Sequence, residues 1–589
     1  MSEKNERNYF RKKDREDYPG EKEKRDRMRS LFHRNKQIYR EYDKDLAAVC
    51  HNGIFVGQET DGVISYKGIP FAEPPVGNLR WKPSQRAKNS DFVMEAYYYG
   101  YAPIQTEWPS EEGSYYPQSE DCLTLNIWTS KKKTSGKKAV MVFFHGGSYG
   151  WGATSDPMYD GHNLVSAHPE VVLVTCEYRV GMMGFINFSE VEGGEEYKES
   201  GNLGLLDHIT ALEWIRDNIS AFGGDKDNVT IFGESAGGGT VSLLPIMKNA
   251  KGLFKRAIAE SGSIALTYNK EHSKKLTRKL LEITGCSDMR SLMELSESEI
   301  RIINEDLNDI NNFPIRDGIV LPENLYEAYE NGEAADIDMI NGTNSDEVRY
   351  WIREMSYNAG DFLGRTVFKL GIPVMFNSDM LKVSPADRKL IDDFLLFCPG
   401  GRKLWKLVEF YNEILFRIPA VKQSEENARN GGKAYMYYWT YPSEHIGLFA
   451  CHAVELAYVF GNLDVQIYTG DNIDPELSRE VQQMWVNFAK TGDPSTDEHK
   501  WNPYSEKDPA TMIFGREITA ARNHFSERNE ILKPVLKYGI NGCYTDLKIK
   551  IPLIYKIAAV LAGIVGAIPA GIYFGVKYIR KRIKSISGK

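Results

Sequence analysis

Positive charge is not in excess in this chain. Its 589 residues carry 73 Lys and Arg against 81 Asp and Glu, a formal net charge of −8, so composition gives no basis for nucleic-acid binding. The N-terminus lacks an apolar run. Residues 1–45 are crowded with charges of both signs and hold few aliphatics. They therefore have no h-region of a secretory leader, and they cannot bury enough apolar surface to offset the entropy of ordering; a disordered, charged segment is expected there. From about residue 46 to 545 there is no Gly/Ser linker, no repeat and no low-complexity break, which points to one large domain. Cysteine is scarce, at 7.

One long apolar run is present. Ile557–Val576, "IAAVLAGIVGAIPAGIYFGV", holds no charged residue and has the length needed to cross a bilayer. A transmembrane helix is expected over 551–577, with a short basic tail over 578–589. Ala559, Gly563, Ala567, Gly571 and Gly575 recur every fourth residue and would form one small-residue stripe, the kind of surface through which such helices pair into a homodimer.

Between the two ends, short apolar runs read as buried parallel strands: "AVMVFFH" (139–145), "VVLVTCEY" (171–178), "NVTIFG" (228–233) and "DMIN" (338–341). They are rich in Val, Ile and Phe without clean alternation, as strands covered on both faces are. "LLDHITALEWIRDNISAF" (205–222) keeps Leu206, Ile209, Leu212, Trp214, Ile215 and Ile219 near a 3.6-residue period, a helix. Strands alternating with helices predict an open α/β fold with a mostly parallel central sheet, whose site lies beyond the carboxyl ends of the strands. The stretch "IFGESAGGGT" meets that rule. A strand ends at Phe232, Ser235 follows in the G-x-S-x-G spacing of a nucleophile elbow, and a helix continues.

A serine hydroxyl needs a base to take its proton, and the base needs an acid to orient it. In this fold the order along the chain is serine, acid, histidine. Of 11 histidines, His452 in "GLFACHAVELAYVFGN" and its neighbour His445 are the candidates for the base. Asp346 and Glu347 in "DMINGTNSDEVRYW" sit just past a strand end and are the candidates for the acid. "FFHGGSYGWG" ends a strand in glycines, where His145, Gly146 and Gly147 suit an oxyanion loop. The N–H of Ala236 would add a donor.

Many ordered blocks together resemble the type-B carboxylesterases of the carboxylesterase/lipase family, which includes the cholinesterases. The blocks are "YKGIPFAEPPVGNLRW", "SEDCLTLNIW", "HGGSYG", "EYRVGMMGF", "GNLGLLDHITALEWIRDNISAFGGDKDNVTIFGESAGG", "FKRAIAESGS" and "WVNFAKTGDPS". The resemblance implies an α/β-hydrolase fold over nearly the whole of residues 50–545. It also implies a triad of Ser235, Glu347 and His452, with oxyanion donors at Gly147, Ser148 and Ala236, and needs no metal or cofactor. Three departures stand out. Ser148 takes the place of a usual third glycine, and Val348 follows the acid where a glycine is usual. Both short-loop disulfides that the family implies have lost a partner: no cysteine lies between Cys50 and Cys122, and none between Cys286 and Cys398.

The missing bridges and missing leader favour a reducing compartment. The expectation is a single-pass C-terminal anchor with a cytosolic catalytic domain, although the basic "KYIRKRIK" after the span favours the lumenal orientation. The expected activity is hydrolysis of a small-molecule ester. An acyltransferase with an alcohol or amine acceptor would use the same residues. An adhesion-type relative would lack the nucleophile, which this chain has. Choline esters are disfavoured, because Glu112 stands where the cholinesterases place a choline-binding tryptophan and Trp108 lies four residues earlier.

Overall fold

The structure is a computed structural model. It describes residues 33–105, 117–132, 134, 136–307, 313–351, 383–398, 403–445, 447–465, 467–470, 473–522 and 526–536. The apolar run Ile557–Val576, its small-residue stripe, the basic tail, Trp108 and Glu112 lie outside these residues. Among the described residues no helix is long and apolar enough to cross a membrane.

The strands follow in chain order as β1 (Ala47–Cys50), β2 (Gly53–Val56), β3 (Gln58–Thr60), β4 (Val63–Pro70), β5 (Val93–Glu95), β6 (Thr124–Ser130) and β7 (Lys138–Phe144). They continue as β8 (Val171–Cys176), β9 (Gly224–Glu234), β10 (Arg256–Glu260), β11 (Asp338–Asn344), β12 (Ala434–Trp439), β13 (Ala510–Phe514) and β14 (Ile518–Arg522). An 11-stranded sheet runs in the order β14-β13-β12-β11-β10-β9-β7-β8-β6-β4-β3. Its centre, from β8 to β13, is parallel throughout. Both flanks are antiparallel, so the sheet is mixed, with the expected parallel strands at its middle. A small sheet, β1-β2-β5, packs beside it.

The alternation hidden in the apolar runs is real but two-sided. Along β7, Val140, Val142 and Phe144 enter one buried cluster, while Ala139, Met141 and Phe143 enter another. Successive side chains of a strand point to opposite faces, and here both faces are covered. Helix α1 (Leu203–Asn218) adds Leu205, Leu212 and Ile215 to the first cluster; α2 (Ala236–Leu243) lies against β9 and β10; and α3 (Pro475–Thr491) adds Val481, Met484 and Trp485 to the second.

The N-terminal boundary falls earlier than the charge pattern suggests. The Ile38 N–H donates to Val93 O and the Glu95 N–H to Lys36 O, so the chain before residue 45 already pairs with the edge strand β5. Main-chain hydrogen bonding, which carries no hydropathy signature, accounts for the difference.

Candidate active site

Ser235 closes β9 and opens α2. Its backbone sits at φ +57° and ψ −120°, a sparsely populated region that costs a non-glycine residue about 1–3 kcal/mol. The surroundings enforce it. The Ser235 N–H donates to Glu260 O at 3.0 Å, and Ser235 O accepts from the Gly239 N–H at 2.8 Å. Two residues on, a Cβ at Gly237 would overlap the Phe144 carbonyl on β7, so the helix can start this close to the sheet only with glycine there.

Glu347 follows β11 and is wholly buried. Its Oε1 accepts from Ser261 Oγ at 2.6 Å and from the Asn344 N–H at 2.8 Å. Its Oε2 lies 2.6 Å from His452 Nδ1. A carboxylate only accepts, so Nδ1 carries the hydrogen and Nε2 is the basic nitrogen. The rival acid, Asp346, turns away to Arg349 at 2.7 Å. The carboxylate–imidazole pair is thus Glu347 with His452. Val348 keeps a negative φ, and its N–H donates to Asn412 Oδ1 at 2.9 Å, so the loop closes without the family's glycine. His445 lies on the loop leading to His452, its N–H donating to Ser443 Oγ.

The loop after β7 lies against the elbow: a Cβ on Gly146 would stand 3.1 Å from Ser235 Cβ. Gly147 has φ +97°, and Ser148 has φ +53° in place of a glycine. Among the described residues no backbone carbonyl accepts from the N–H of Gly147, Ser148 or Ala236. These donors and Ser235 come from two neighbouring strand ends, β7 and β9. His452 Nε2 is buried and has no hydrogen-bond partner among the described residues, so no Ser235–His452 hydrogen bond is present. Such bonds commonly tighten only with substrate in place.

Three carboxylates escaped the sequence reading. Glu234 Oε1 lies 3.1 Å from His452 Nε2. Glu455 Oε2 accepts from Asn344 Nδ2 at 2.6 Å, and Glu260 Oε1 from Trp485 Nε1 at 2.5 Å. All three are buried. The signal was adjacency: Glu234 precedes the serine and Glu455 follows the histidine by three residues. Their inward aim comes from the strained turns, which composition does not encode. Burial, then the charges of Glu455 and Glu347, pushes the Glu234 carboxyl up. Burial raises Glu455 likewise, and Glu260 well above the usual carboxylate range. Burial lowers His452, but the charges of Glu234 and Glu347 outweigh it and hold the imidazole above its ordinary value. Burial and the charges of neighbouring carboxylates together disfavour ionising all three acids at once.

The cysteines Cys50, Cys122, Cys176, Cys286, Cys398 and Cys451 are free thiols. Among the described residues no disulfide forms, in line with the lost partners.

A model of the carboxylesterase family matches residues 48–531. The para-nitrobenzyl esterase of Bacillus subtilis is 34% identical over 498 residues, covering 81% of this chain and 96% of that protein. Carboxylesterase 1E of Rattus norvegicus is 32% identical over 513 residues, covering 77% and 86%. In three dimensions the chain is similar to a carboxylesterase of Geobacillus stearothermophilus, with a TM-score of 0.72 at 30% identity, covering 82% of this chain and 99% of that one. With the α/β-hydrolase sheet, the elbow and the buried acid–imidazole pair already in view, the chain belongs to the carboxylesterase family and is a carboxylic ester hydrolase.

Proposed function

We propose that this hydrolase works through Ser235, His452 and Glu347 and an acyl-enzyme. The observation that carries the reading is the 2.6 Å contact between Glu347 Oε2 and His452 Nδ1, in the same buried site as a serine at φ +57°. Glu347 fixes the tautomer. His452 Nε2 takes the Ser235 proton as Oγ attacks the ester carbonyl, and returns it to the departing alkoxide. The N–H groups of Gly147, Ser148 and Ala236 receive the oxyanion. Water, deprotonated by the same imidazole, then attacks the acyl-enzyme and releases the acid. In Ser235→Ala, turnover of a p-nitrophenyl ester and labelling by a fluorophosphonate are both lost. Retained turnover in that variant would remove Ser235 from the mechanism.

The apolar run Ile557–Val576 further supports a C-terminal membrane anchor, and the free cysteines support a catalytic domain on the cytosolic side. Protease protection of that domain in sealed vesicles would reverse the orientation. Pairing of two copies through the stripe of Ala559, Gly563, Ala567, Gly571 and Gly575 belongs to the same reading.

A further inference from the structure

Behind the oxyanion loop lies a buried polar group that this mechanism does not use. His145, wholly buried, ends the strand run of β7. Its Nδ1 is 2.9 Å from Gly146 O, and its Nε2 is 3.5 Å from Glu177 Oε2. Glu177 is 1% exposed. Its Oε1 accepts from the Thr154 N–H at 2.7 Å and from Thr154 Oγ1 at 2.8 Å. Among the described residues neither His145 Nε2 nor Glu177 Oε2 has a hydrogen-bond partner, and the two face each other at 3.5 Å. The Tyr178 ring lies 4.5 Å from the imidazole, and its hydroxyl donates to His145 O at 3.1 Å. At the far end of the loop, Gln105 Nε2 donates to Gly152 O at 2.8 Å and its Oε1 accepts from the Gly152 N–H at 2.7 Å. The loop is therefore pinned at both ends by side chains that do not reach the nucleophile.

The Gly146 carbonyl and the Gly147 N–H belong to one peptide group. A hydrogen bond into that carbonyl withdraws electron density from the nitrogen and makes its N–H a stronger donor, as in any chain of coupled hydrogen bonds. Oxygen faces both ring nitrogens of His145. A backbone carbonyl and a carboxylate only accept, so hydrogens on both nitrogens serve Gly146 O and face Glu177, and the ring charged in this way is a stronger donor to Gly146.

We propose that Glu177 and His145 are positioning residues, a second acid–imidazole pair that orients and polarises the Gly146–Gly147 peptide toward the oxyanion. The proposal rests on Gly147 acting as an oxyanion donor. Glu177→Gln keeps an acceptor for Thr154 but removes the charge. His145→Asn keeps a donor near Nδ1 but removes the nitrogen that faces Glu177.

The test uses the full chain with p-nitrophenyl acetate, and with an aryl trifluoromethyl ketone that forms a hemiketal oxyanion on the nucleophile. In Glu177→Gln, kcat falls about tenfold, a fraction of the loss from deleting an oxyanion donor outright, and ketone affinity falls by the same factor. KM stays within about twofold, because the lost interaction is made only in the transition state. His145→Asn gives a similar loss, and the double variant loses no more than either single one, because the pair acts as a unit. Values of kcat and ketone affinity within about twofold of the parent in either variant overturn the proposal. So do losses that multiply in the double variant, or a rise in KM that matches the fall in kcat. Failure of the underlying reading shows separately, as turnover that survives Ser235→Ala.

Discussion

At His452, burial and charge pull in opposite directions. Loss of hydration favours the neutral ring, while Glu234 and Glu347 favour the cation and prevail. As the proposed base, His452 must be neutral at Nε2 to accept a proton, so a raised imidazole places the acid limb of kcat/KM above the range of an ordinary histidine. Removing one neighbouring negative charge lowers the ring's pKa. Glu234→Gln is therefore expected to move that limb to lower pH, read from a kcat/KM–pH profile with a p-nitrophenyl ester. A limb that stays put would show that Glu234 is neutral whenever the enzyme works, and one that moves upward would remove its charge as a support of the imidazolium. Ser148 bears a different load. At φ +53° it holds a conformation that costs an L-residue roughly 1–2 kcal/mol, yet its backbone N–H remains available where the family's glycine would offer the same donor.

The β9–turn–α2 unit is the element on which the site is built, and it has no room for added atoms at Gly237, whereas Gly136, outside the unit, has room. Gly237→Ala drives a methyl group into the Phe144 carbonyl, an overpacking of backbone against backbone that is expected to cost about 3 kcal/mol. It should lower the thermal midpoint and abolish esterase activity together. Gly136→Ala, with nothing within 4 Å of the new methyl, should change neither in the same two assays. Equal behaviour of the two variants would show that the elbow is slack. The elbow was legible in the sequence because its steric demands leave a mark: glycine wherever backbones touch. The parallel strands at the centre were legible as apolar runs. β10 was not read as a strand, because "RAIAE" is short and flanked by charge, and its Glu260 reads as a surface residue until Trp485 is folded over it. β12 and the antiparallel pair β13–β14 join the sheet through partners far away in the chain, which no local pattern announces. Glu347 and His452 were identified by family resemblance. On residue type alone Asp346 and His445 stood equal to them, and only the fold turns Asp346 onto Arg349.

For the whole molecule, the proposed anchor separates location from catalysis. A chain ending at Thr545 keeps every residue of the site and loses the apolar run. It is expected to remain in the soluble fraction with the parent's kcat, while the full chain sediments with membranes and is released by detergent but not by carbonate. A full chain that stays soluble would remove the anchor. The proposed triad also imposes an order in time. Ser235 is made long before its base, and with synthesis at about 5–20 residues per second, the roughly 200 residues that separate it from His452 take some 10–40 s. Throughout that interval the nascent chain carries a nucleophile with no base, and for the first half of it no acid either. On the proposed mechanism the enzyme is therefore chemically silent while it is being built, and becomes able to cleave esters only when its final third has joined the sheet.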